Sequence, residues 1–464
     1  MRKKILPLLV SVLFGTLLPA GAQVFVEAEE FENYGGWSLD QQFIGTMGSA
    51  YLLAHGAGVP VGTAETGVIV PESGKYHVYV KTFNWTSPFA GGAGPGRFSL
   101  SLDGTPVGGE LGDSGSSWTW QKAGTVKLGK GSHILRITDL TGLEGRFDAV
   151  CLSRKALSAE EMDRLITRKR EGAAVLDGGT YDLVVVGAGY SGICAAVAAA
   201  REGLSVALVQ DRAVLGGNNS SEIRVQLGGS IECEPYPNLG NLLKEFAPTE
   251  KGNAMPPSYY GDDAKRAIVD AEPNISLFTL MRVTSVEKEG DIIRSVTGTN
   301  VVTGERLVFR APLFADCTGD GTVGFLAGAE YRVGREARSE YGESSAPEEA
   351  DIMVLGASLQ WSSKKDAAPS SFPDFSYGID LTDESCQRMT KGSWTWETGM
   401  FSDQILEAER IRDYGMLAIY ANWSYLKNHS PYREEFACRS LDWVSFNSGK
   451  RESRRILGNW IYSQ

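Results

Sequence analysis

The sequence predicts a two-part chain, in which an N-terminal antiparallel β-sandwich, or jelly roll, precedes an α/β domain with a parallel sheet. Residues 24–153 contain short runs rich in β-branched and aromatic residues, and glycine-rich turns separate these runs. Several runs alternate with period two, a pattern typical of antiparallel sandwiches. The composition changes near Ser158, where a charged segment begins. After residue 179 the pattern becomes strand, glycine turn, helix and strand, which indicates a βαβ unit.

Local signals predict the elements and the domain boundaries. The predicted strands of the first half lie at residues 78–80, 98–102, 125–128 and 133–137. A helix is predicted from Ser158 to about Lys169, because Ser158 and Glu161 have the spacing of a capping box. The predicted divisions are a leader at 1–22, a sandwich at 23–155, a helical linker at 156–180 and a second domain at 181–464.

The leader has the pattern of a bacterial secretory signal peptide. Basic residues at 2–4 precede an apolar run at 5–18, and small residues at 20–22 match the needs of signal peptidase. We therefore expect cleavage before Gln23 and a periplasmic or secreted protein. The alternative is an uncleaved membrane anchor, which the short apolar run disfavours because a span needs roughly 20 residues. No later segment is apolar enough to cross a bilayer, so no membrane span is expected after cleavage.

The charge and the less common residue types argue against several classes of function. The 464 residues carry a formal net charge of −12, which argues against binding to nucleic acids or to anionic membranes. The six cysteines form no C-x-x-C pair, so a dense disulfide framework and a cysteine metal site are not expected. With four histidines, histidine-based metal chemistry is also disfavoured.

A glycine-rich turn follows the first strand of the second domain. The continuous apolar run at 183–186 leads into a G-x-G-x-x-G sequence, an alanine-rich helix and a second strand at 205–209. In this context Gly187 permits the tight turn, Gly189 lets the backbone approach a pyrophosphate, and Gly192 lets helix and strand pack closely. The start of the helix offers free N–H groups to the phosphates. The segment therefore predicts a dinucleotide-binding site.

The segments after the helix concern the ribose contact and the identity of the dinucleotide. At the end of the second strand the ribose has two candidate partners, Gln210, which we favour by position, and Asp211. A Gly-Gly turn follows at 216–217, and another apolar strand at 313–316 also ends in a glycine turn. Both features favour FAD over NAD. No second G-x-G-x-x-G occurs between the two segments, so a dedicated nicotinamide domain is not expected and the electron acceptor is left open.

These segments, together with the run Asp-Arg-Ala-Val-Leu-Gly-Gly-Asn-Asn-Ser-Ser-Glu-Ile-Arg at 211–224, resemble the bacterial FAD-dependent oxidoreductase family. The resemblance covers about residues 181–458. It implies an α/β FAD-binding Rossmann-like domain of the glutathione-reductase type, incomplete at its C-terminal end. It also implies FAD contacts, with turn and sheet packing as the alternative, at six positions: Gly216, Gly217, Asn218, Thr318, Gly319 and Asp320.

Candidate catalytic residues follow from what a flavin dehydrogenase needs, a base near the flavin and cations that orient the substrate. Glu222 and Arg224 lie just after the Gly-Gly turn, and the alternative for them is a surface ion pair. His429 is the only histidine of the second domain, and the alternative for it is a structural role. The charged cluster at 451–455 resembles a family motif, but a solvated helix face is the favoured interpretation.

Scattered segments of the first half resemble carbohydrate-binding modules of families six and thirty-five. These segments lie at residues 26–29, 47–51, 74–76 and 147–150. The resemblance implies a structural Ca²⁺ held by Glu27, Glu29 and Asp148, since that ion prefers several oxygen ligands. The alternative is an exposed acidic rim.

Three tryptophans of the first half lie in or beside glycine- and serine-rich loops: Trp85, Trp118 and Trp120. Exposed rings there would stack on sugar faces, and core packing is the competing interpretation. Together these features predict an exported FAD-dependent oxidoreductase that dehydrogenates a sugar or a glycan-derived substrate. Two alternatives stay open: a non-redox, lyase-like enzyme on polysaccharides that retains a flavin site, and a glycan-binding protein with a degenerate flavin domain.

Overall fold

The computed structural model describes residues 23–392 and 396–461. The predicted signal peptide at 1–22 lies outside the described residues. Among the described helices, none combines the length and the hydropathy that a bilayer span requires.

The first half consists of two antiparallel sheets. In chain order its elements are β1 (Val24–Glu27), a 3₁₀ turn (Ala28–Glu30), β2 (Ser38–Asp40), α1 (Ile44–Met47), β3 (Tyr51–Ala54), β4 (Ala64–Val70), β5 (Gly74–Thr82), β6 (Phe98–Leu102), β7 (Thr105–Pro106), β8 (Thr119–Leu128), β9 (Gly131–Asp139) and β10 (Gly145–Ser153). One sheet has the order β2-β3-β10-β5-β8, with β1 paired to β10, and the other has the order β4-β9-β6-β7. The four strands predicted for this half are confirmed, within β5, β6, β8 and β9.

A single apolar core joins these two sheets. Leu100 and Ile137 of the smaller sheet belong to the same buried cluster as Val78, Phe147 and Val150 of the larger one. Inward residues alternate with outward ones along β4 and β6, as expected for strands with one face against a core.

The predicted linker contains the helix α2 (Ala159–Glu171), and both bonds of the Ser158–Glu161 capping box are present. The helix packs on the sandwich, because Met162 and Ile166 are buried in one cluster with Trp120 and other sandwich residues. The next strand, β11 (Val175–Thr180), instead pairs with a strand of the second half. The helix of the predicted linker therefore belongs to the first half, and its strand belongs to the second half.

The second half begins with a parallel sheet. Its elements are β12 (Leu183–Val186), α3 (Tyr190–Arg201), β13 (Val206–Val209), α4 (Leu243–Phe246), a 3₁₀ turn (Pro257–Tyr260), α5 (Asp262–Asp270), β14 (Ile275–Phe278), β15 (Met281–Glu289), β16 (Ile292–Asn300), β17 (Arg306–Arg310) and β18 (Leu313–Asp316). The strand order β14-β13-β12-β18 is parallel throughout. The predicted strands at 183–186 and 313–316 and the helix after the glycine turn are confirmed.

The remaining chain forms short strands around one long helix. These elements are α6 (Thr322–Leu326), β19 (Tyr331–Arg332), α7 (Arg338–Tyr341), β20 (Ala357–Ser358), β21 (Trp361–Lys365), β22 (Lys391–Gly392), β23 (Glu397–Thr398), α8 (Ala408–Asn428), α9 (Arg433–Phe436), β24 (Arg439–Val444) and β25 (Arg455–Ile456). The helix α8 is buried along most of its length. Its Met416 and Tyr420 lie in one apolar cluster with Tyr51, Phe83 and Trp85 of the sandwich, so the two halves share a core.

Candidate functional site

A cavity of about 440 Å³ lies at the carboxyl ends of β12, β13 and β18. The turns that follow these three strands form much of its wall. Residues 41–43 of the sandwich complete the wall on one side, together with residues between 404 and 411 and between 448 and 451. The volume is in the usual range of small-molecule sites, about 300–1,000 Å³, and the carboxyl ends of parallel strands are where such sites form.

The glycine turn after β12 has the geometry that the sequence predicted. Gly187 has φ +93°, and a Cβ there would lie 2.6 Å from the carbonyl oxygen of Cys317. A Cβ on Gly192 would lie 1.8 Å from the carbonyl oxygen of Gly187, so helix and strand pack closely only because no side chain is present. In contrast, a Cβ on Gly189 would meet no atom within 4 Å. The backbone at the start of α3 is therefore open to a ligand.

The structure separates the two ribose candidates. The side chain of Gln210 is buried, its Oε1 accepts a hydrogen bond from the N–H of Ala188 at 2.7 Å, and its Nε2 donates to the carbonyl of Val214. Gln210 therefore holds the glycine turn in place. The carboxylate of Asp211 is partly exposed in the cavity wall, with Arg282 3.8 Å away. This arrangement favours Asp211 over Gln210 as the ribose partner.

The loop after β13 is held from behind by a buried lysine. Gly216 and Gly217 both have positive φ, +109° and +61°. The ammonium of Lys265 donates to the carbonyls of Asn219 and Tyr260, and burial lowers the pKa of Lys265 against the weaker effect of Asp262. The Gly-Gly turn therefore presents Gly216, Gly217 and Asn218 to the cavity.

The loop after β18 presents a charged pair to the cavity. Lys450 Nζ donates to both carboxylate oxygens of Asp320, at 2.8 and 2.9 Å, and Ser453 Oγ donates to one of them at 2.7 Å. Burial would raise the pKa of Asp320, but the charge of Lys450 and these hydrogen bonds outweigh it and hold that pKa low. Thr318 and Gly319 also line the cavity, and a Cβ on Gly319 would meet no atom within 4 Å.

The three predicted catalytic residues do not meet in the cavity. Glu222 lies behind the wall, with its carboxylate 3.6 Å from the cavity-lining Arg212. Burial raises the pKa of Glu222, and Arg212 only partly offsets this. Arg224 is outside the wall, since its guanidinium stacks on the ring of Trp443 at 3.8 Å.

His429 also lies outside the cavity wall, contrary to the catalytic role that the sequence suggested. It lies at the C-terminal end of α8, half exposed, and its Nε2 is 2.8 Å from a carboxylate oxygen of Asp374. Neither His429 nor Arg224 belongs to the cavity wall. The catalytic assignment of both residues is therefore corrected. Arg224 stacks on the indole of Trp443, and His429 forms a surface ion pair with Asp374.

Several wall residues were not selected from the sequence. They include Arg282, Cys317, Gln404, Lys450 and the sandwich residues 41–43. Cys317 and Lys450 lie inside segments that resemble family motifs, but the others carry no local signal. Arg451 of the charged cluster also lines the cavity and pairs with Glu397 at 3.2 Å, so this part of the cluster is not a solvated face.

The acidic residues expected to hold calcium are paired with basic side chains instead. Arg170 of α2 donates to Glu27 at 2.5 Å and to both carboxylate oxygens of Asp148 at 3.2 Å. Lys169 lies 3.0 Å from Glu27. Glu29 is buried beside them, and burial raises its pKa strongly. Among the described residues no cluster of acidic, histidine or cysteine side chains is arranged to hold a metal ion, so the structure does not support the calcium expectation.

The three tryptophans proposed for sugar stacking are packing residues. Trp85 is 0 % exposed and donates to the carbonyl of Leu143. Trp118 donates to Glu409 of α8, and Trp120 is buried against α2. The competing interpretation, core packing, is therefore the correct one.

The residues present fit an FAD molecule. Backbone without side chains faces the cavity at Gly189 and Gly319, and α3 begins there without a side-chain cap. Such a helix start binds diphosphates. Arg212 lines the same cavity, with its Nη1 3.6 Å from a carboxylate oxygen of Glu222. A guanidinium in a cavity wall suits an anionic ligand.

Comparison with known proteins gives one family and several structural likenesses. A family model described as FAD dependent oxidoreductase matches residues 182–464. A family 35 carbohydrate binding module from Clostridium thermocellum is 25 % identical, with 28 % of this chain and 97 % of that chain covered and a TM-score of 0.22. The 3-ketosteroid-delta4-(5alpha)-dehydrogenase of Rhodococcus jostii RHA1 is 14 % identical, with coverages of 31 % and 47 % and a TM-score of 0.26.

A third likeness is to a myxobacterial chondrochloren halogenase, described as a variant of FAD-dependent halogenases. It is 18 % identical, with 42 % of this chain and 45 % of that chain covered and a TM-score of 0.26. The chain thus spans less than half the length of these two flavoenzymes. No curated protein sequence matches the chain.

Proposed function

Since the chain belongs to the FAD dependent oxidoreductase family, we propose that its cavity binds FAD and that the enzyme dehydrogenates a hydroxyl group of a sugar or a glycan-derived substrate. The observation that carries the proposal is the cavity at the ends of β12, β13 and β18, into which Gly189 and Gly319 present bare backbone. FAD, when bound, supplies the two-electron acceptor that such a dehydrogenation needs.

Different residues of the wall would bind different parts of the dinucleotide. The N–H groups at the start of α3 and the guanidinium of Arg212 would hold the diphosphate, because both present positive charge to the cavity. The carboxylate of Asp211 would accept hydrogen bonds from ribose hydroxyls. As the family resemblance implies, Asn218 from the loop after β13 would approach the pyrophosphate and the isoalloxazine, and Thr318 from the loop after β18 would lie near the ribose and the pyrophosphate.

A polyhydroxylated substrate is supported by the wall residues outside the parallel sheet. Gln41, Gln404 and Arg451 are amide and guanidinium groups in this part of the wall, and such groups form hydrogen bonds with hydroxyls. The sequence resemblance of the first half to carbohydrate-binding modules supports the same substrate class. The tryptophans of that half give no support, because Trp85 and Trp120 are buried and the partly buried Trp118 donates to Glu409.

Export to the periplasm or the medium is also part of the proposal. The support is the basic, apolar and small-residue pattern of residues 1–22. Expression of the full gene in a bacterial host tests it. We expect a mature protein that begins at Gln23 in the periplasmic or culture fraction, whereas an unprocessed cytoplasmic protein would contradict export.

Anaerobic reduction of the FAD-loaded protein by a panel of sugars and oligosaccharides tests the substrate class. We expect substrate-dependent bleaching of the flavin and formation of a carbonyl product. A stably bound flavin that no sugar bleaches would overturn the substrate proposal and leave FAD binding intact. Formation of an unsaturated sugar without bleaching would instead select the lyase-like alternative.

A further inference from the structure

The sandwich contributes directly to the wall of the proposed FAD cavity. Gln41, Gln42 and Phe43 line the cavity, and they lie in the sequence between β2 and α1. The side-chain oxygen of Gln41 is buried and has no hydrogen-bond partner among the described residues. Buried polar atoms are normally hydrogen-bonded, so a ligand in the cavity would complete this site.

The neighbouring Gln42 links the sandwich to a segment of the second half. Its Nε2 donates to the carbonyl of Phe446 at 2.8 Å, and its Oε1 accepts a hydrogen bond from the N–H of Ser448 at 2.9 Å. Its Nε2 also donates to Asp40 at 3.0 Å. One amide therefore fixes both the backbone of residues 446–448 and its own position in the sandwich.

The same segment continues directly to the two loops that face the cavity. The carbonyl of Lys450 accepts a hydrogen bond from Asn218 Nδ2 at 2.8 Å. The ammonium of Lys450 donates to both oxygens of Asp320. The segment 446–450 thus connects Gln42 with the loop after β13 and with the loop after β18.

Asp40 is itself anchored across the interface between the two halves. Arg412 of α8 donates to Asp40 at 2.6 Å, and also to the carbonyl of Phe446 at 3.2 Å. Both Arg412 and Asp40 are almost fully buried. Burial would raise the pKa of Asp40, but Arg412 outweighs this and keeps the carboxyl ionised. The position of Gln42 relative to the second half is therefore rigidly defined.

From these contacts we infer that the sandwich is a structural part of the FAD site and that Gln42 is a positioning residue. Gln42 holds residues 446–450 so that Lys450 keeps Asn218 and Asp320 in the geometry that receives FAD. The inference rests on the proposed binding of FAD in this cavity. It assigns to the first half a role in the flavin site itself, separate from any binding of glycans.

The test compares FAD affinity in full-length variants. Gln42→Met keeps the size of the side chain and removes its hydrogen bonds, and Gln121→Met is the matched control. Gln121 also accepts a hydrogen bond from a backbone N–H, that of Gly112, but inside the sandwich and away from the cavity wall. We expect FAD binding, followed by flavin fluorescence, to weaken on the order of tenfold for Gln42→Met and to stay unchanged for Gln121→Met.

A double-mutant cycle with Asn218→Ala separates positioning from general destabilisation. If Gln42 acts through residues 446–450, the losses of FAD affinity in the two single variants will not add in the double variant. Additive losses, or wild-type FAD affinity in Gln42→Met, would overturn the inference. Should Gln42→Met not fold, Gln42→Glu keeps the acceptor for Ser448 and is compared with Gln121→Glu. Failure of the wild-type protein to bind FAD would instead overturn the proposed function.

Discussion

The guanidinium of Arg146, on the last strand of the sandwich, donates to both carboxylate oxygens of Asp413 on α8, at distances of 3.1 and 3.0 Å. It also donates to Glu409 at 2.9 Å. Arg146 and Asp413 are both 0 % exposed. A buried pair of this kind does little for stability compared with apolar packing, but the loss of one partner is costly because the other charge stays buried. The pair therefore couples the folding of the two halves.

We predict that Arg146→Met lowers the free energy of unfolding by about 3–5 kcal/mol. The exposed pair of Arg97 and Glu110 provides the control, and Arg97→Met should cost no more than about 1 kcal/mol. Urea denaturation followed by tryptophan fluorescence measures both values. Equal small losses in the two variants, or two separate transitions in the wild-type protein, would argue against a coupled interface.

The glycine turn offers a pair of substitutions with opposite expected effects. A Cβ on Gly189 meets no atom within 4 Å, so Gly189→Ala should change the free energy of unfolding by less than about 0.5 kcal/mol. Its methyl group lies in the space proposed for the diphosphate, so FAD affinity should fall at least roughly tenfold, a loss of about 1.4 kcal/mol. Unchanged FAD affinity in this variant would place the diphosphate elsewhere.

Gly192→Ala should behave in the opposite way. Its Cβ would lie 1.8 Å from a backbone oxygen of the strand-to-helix turn, and backbone cannot move away as a side chain can. We expect a loss of more than about 2 kcal/mol in stability even without FAD. Thermal denaturation of the two apo variants side by side checks the contrast, and a stable Gly192→Ala protein would contradict it.

His55 of the sandwich contacts the second half through Val444. Its two ring nitrogens lie 2.8 Å from a carboxylate oxygen of Glu144 and 2.6 Å from the carbonyl of Val444, so both nitrogens donate only in the protonated ring. Burial opposes the charge, but the attraction and the hydrogen bond of Glu144 outweigh it and raise the pKa of His55 above its ordinary 6.5.

Because the pKa of His55 is raised in the folded protein, its stabilising effect is complete below the unfolded pKa and is lost as the pH rises through the folded one. We predict that the wild-type melting temperature falls more steeply than that of His55→Asn as the pH rises above the ordinary pKa of 6.5. Thermal melts across this range give the comparison. Parallel curves would mean that His55 does not carry the charge in the folded protein.

Because Arg170 pairs with Glu27 and Asp148, we predict that chelators do not change the stability of the protein. Addition of EDTA should leave the melting temperature of the wild-type protein unchanged. Arg170→Ala, in contrast, leaves two buried carboxylates without their main partner and should cost about 3 kcal/mol or more. A large drop in melting temperature on EDTA treatment of the wild-type protein would contradict this prediction and support a calcium site.

The secondary structure that depends on residues close together in the chain could be predicted from the sequence. Ser158 and Glu161 define a helix start by themselves, and the run at 183–186 with its glycines defines a strand, a turn and a helix. Each of these depends on neighbours within a few positions, so spacing alone carries the information.

Features that depend on distant contacts could not be predicted in the same way. The indole N–H of Trp118 donates to Glu409, 291 positions away in the chain, and the link between Gln42 and Ser448 spans 406 positions. The preference for Gln210 over Asp211 as the ribose partner has a related cause, since nothing near Gln210 in the sequence indicates that its amide accepts a hydrogen bond from the backbone N–H of Ala188. The acidic residues Glu27 and Asp148 similarly suggested a calcium site, because the sequence does not indicate that Arg170 pairs with both of them.

A titration of the full-length apo protein with FAD tests the central claim most directly. Flavin fluorescence should be quenched to saturation at one FAD per chain, and FMN, which lacks the adenosine half, should bind much more weakly. Folded wild-type protein that leaves FAD fluorescence unchanged, or that binds FMN as tightly as FAD, would contradict a dinucleotide site at the ends of β12, β13 and β18.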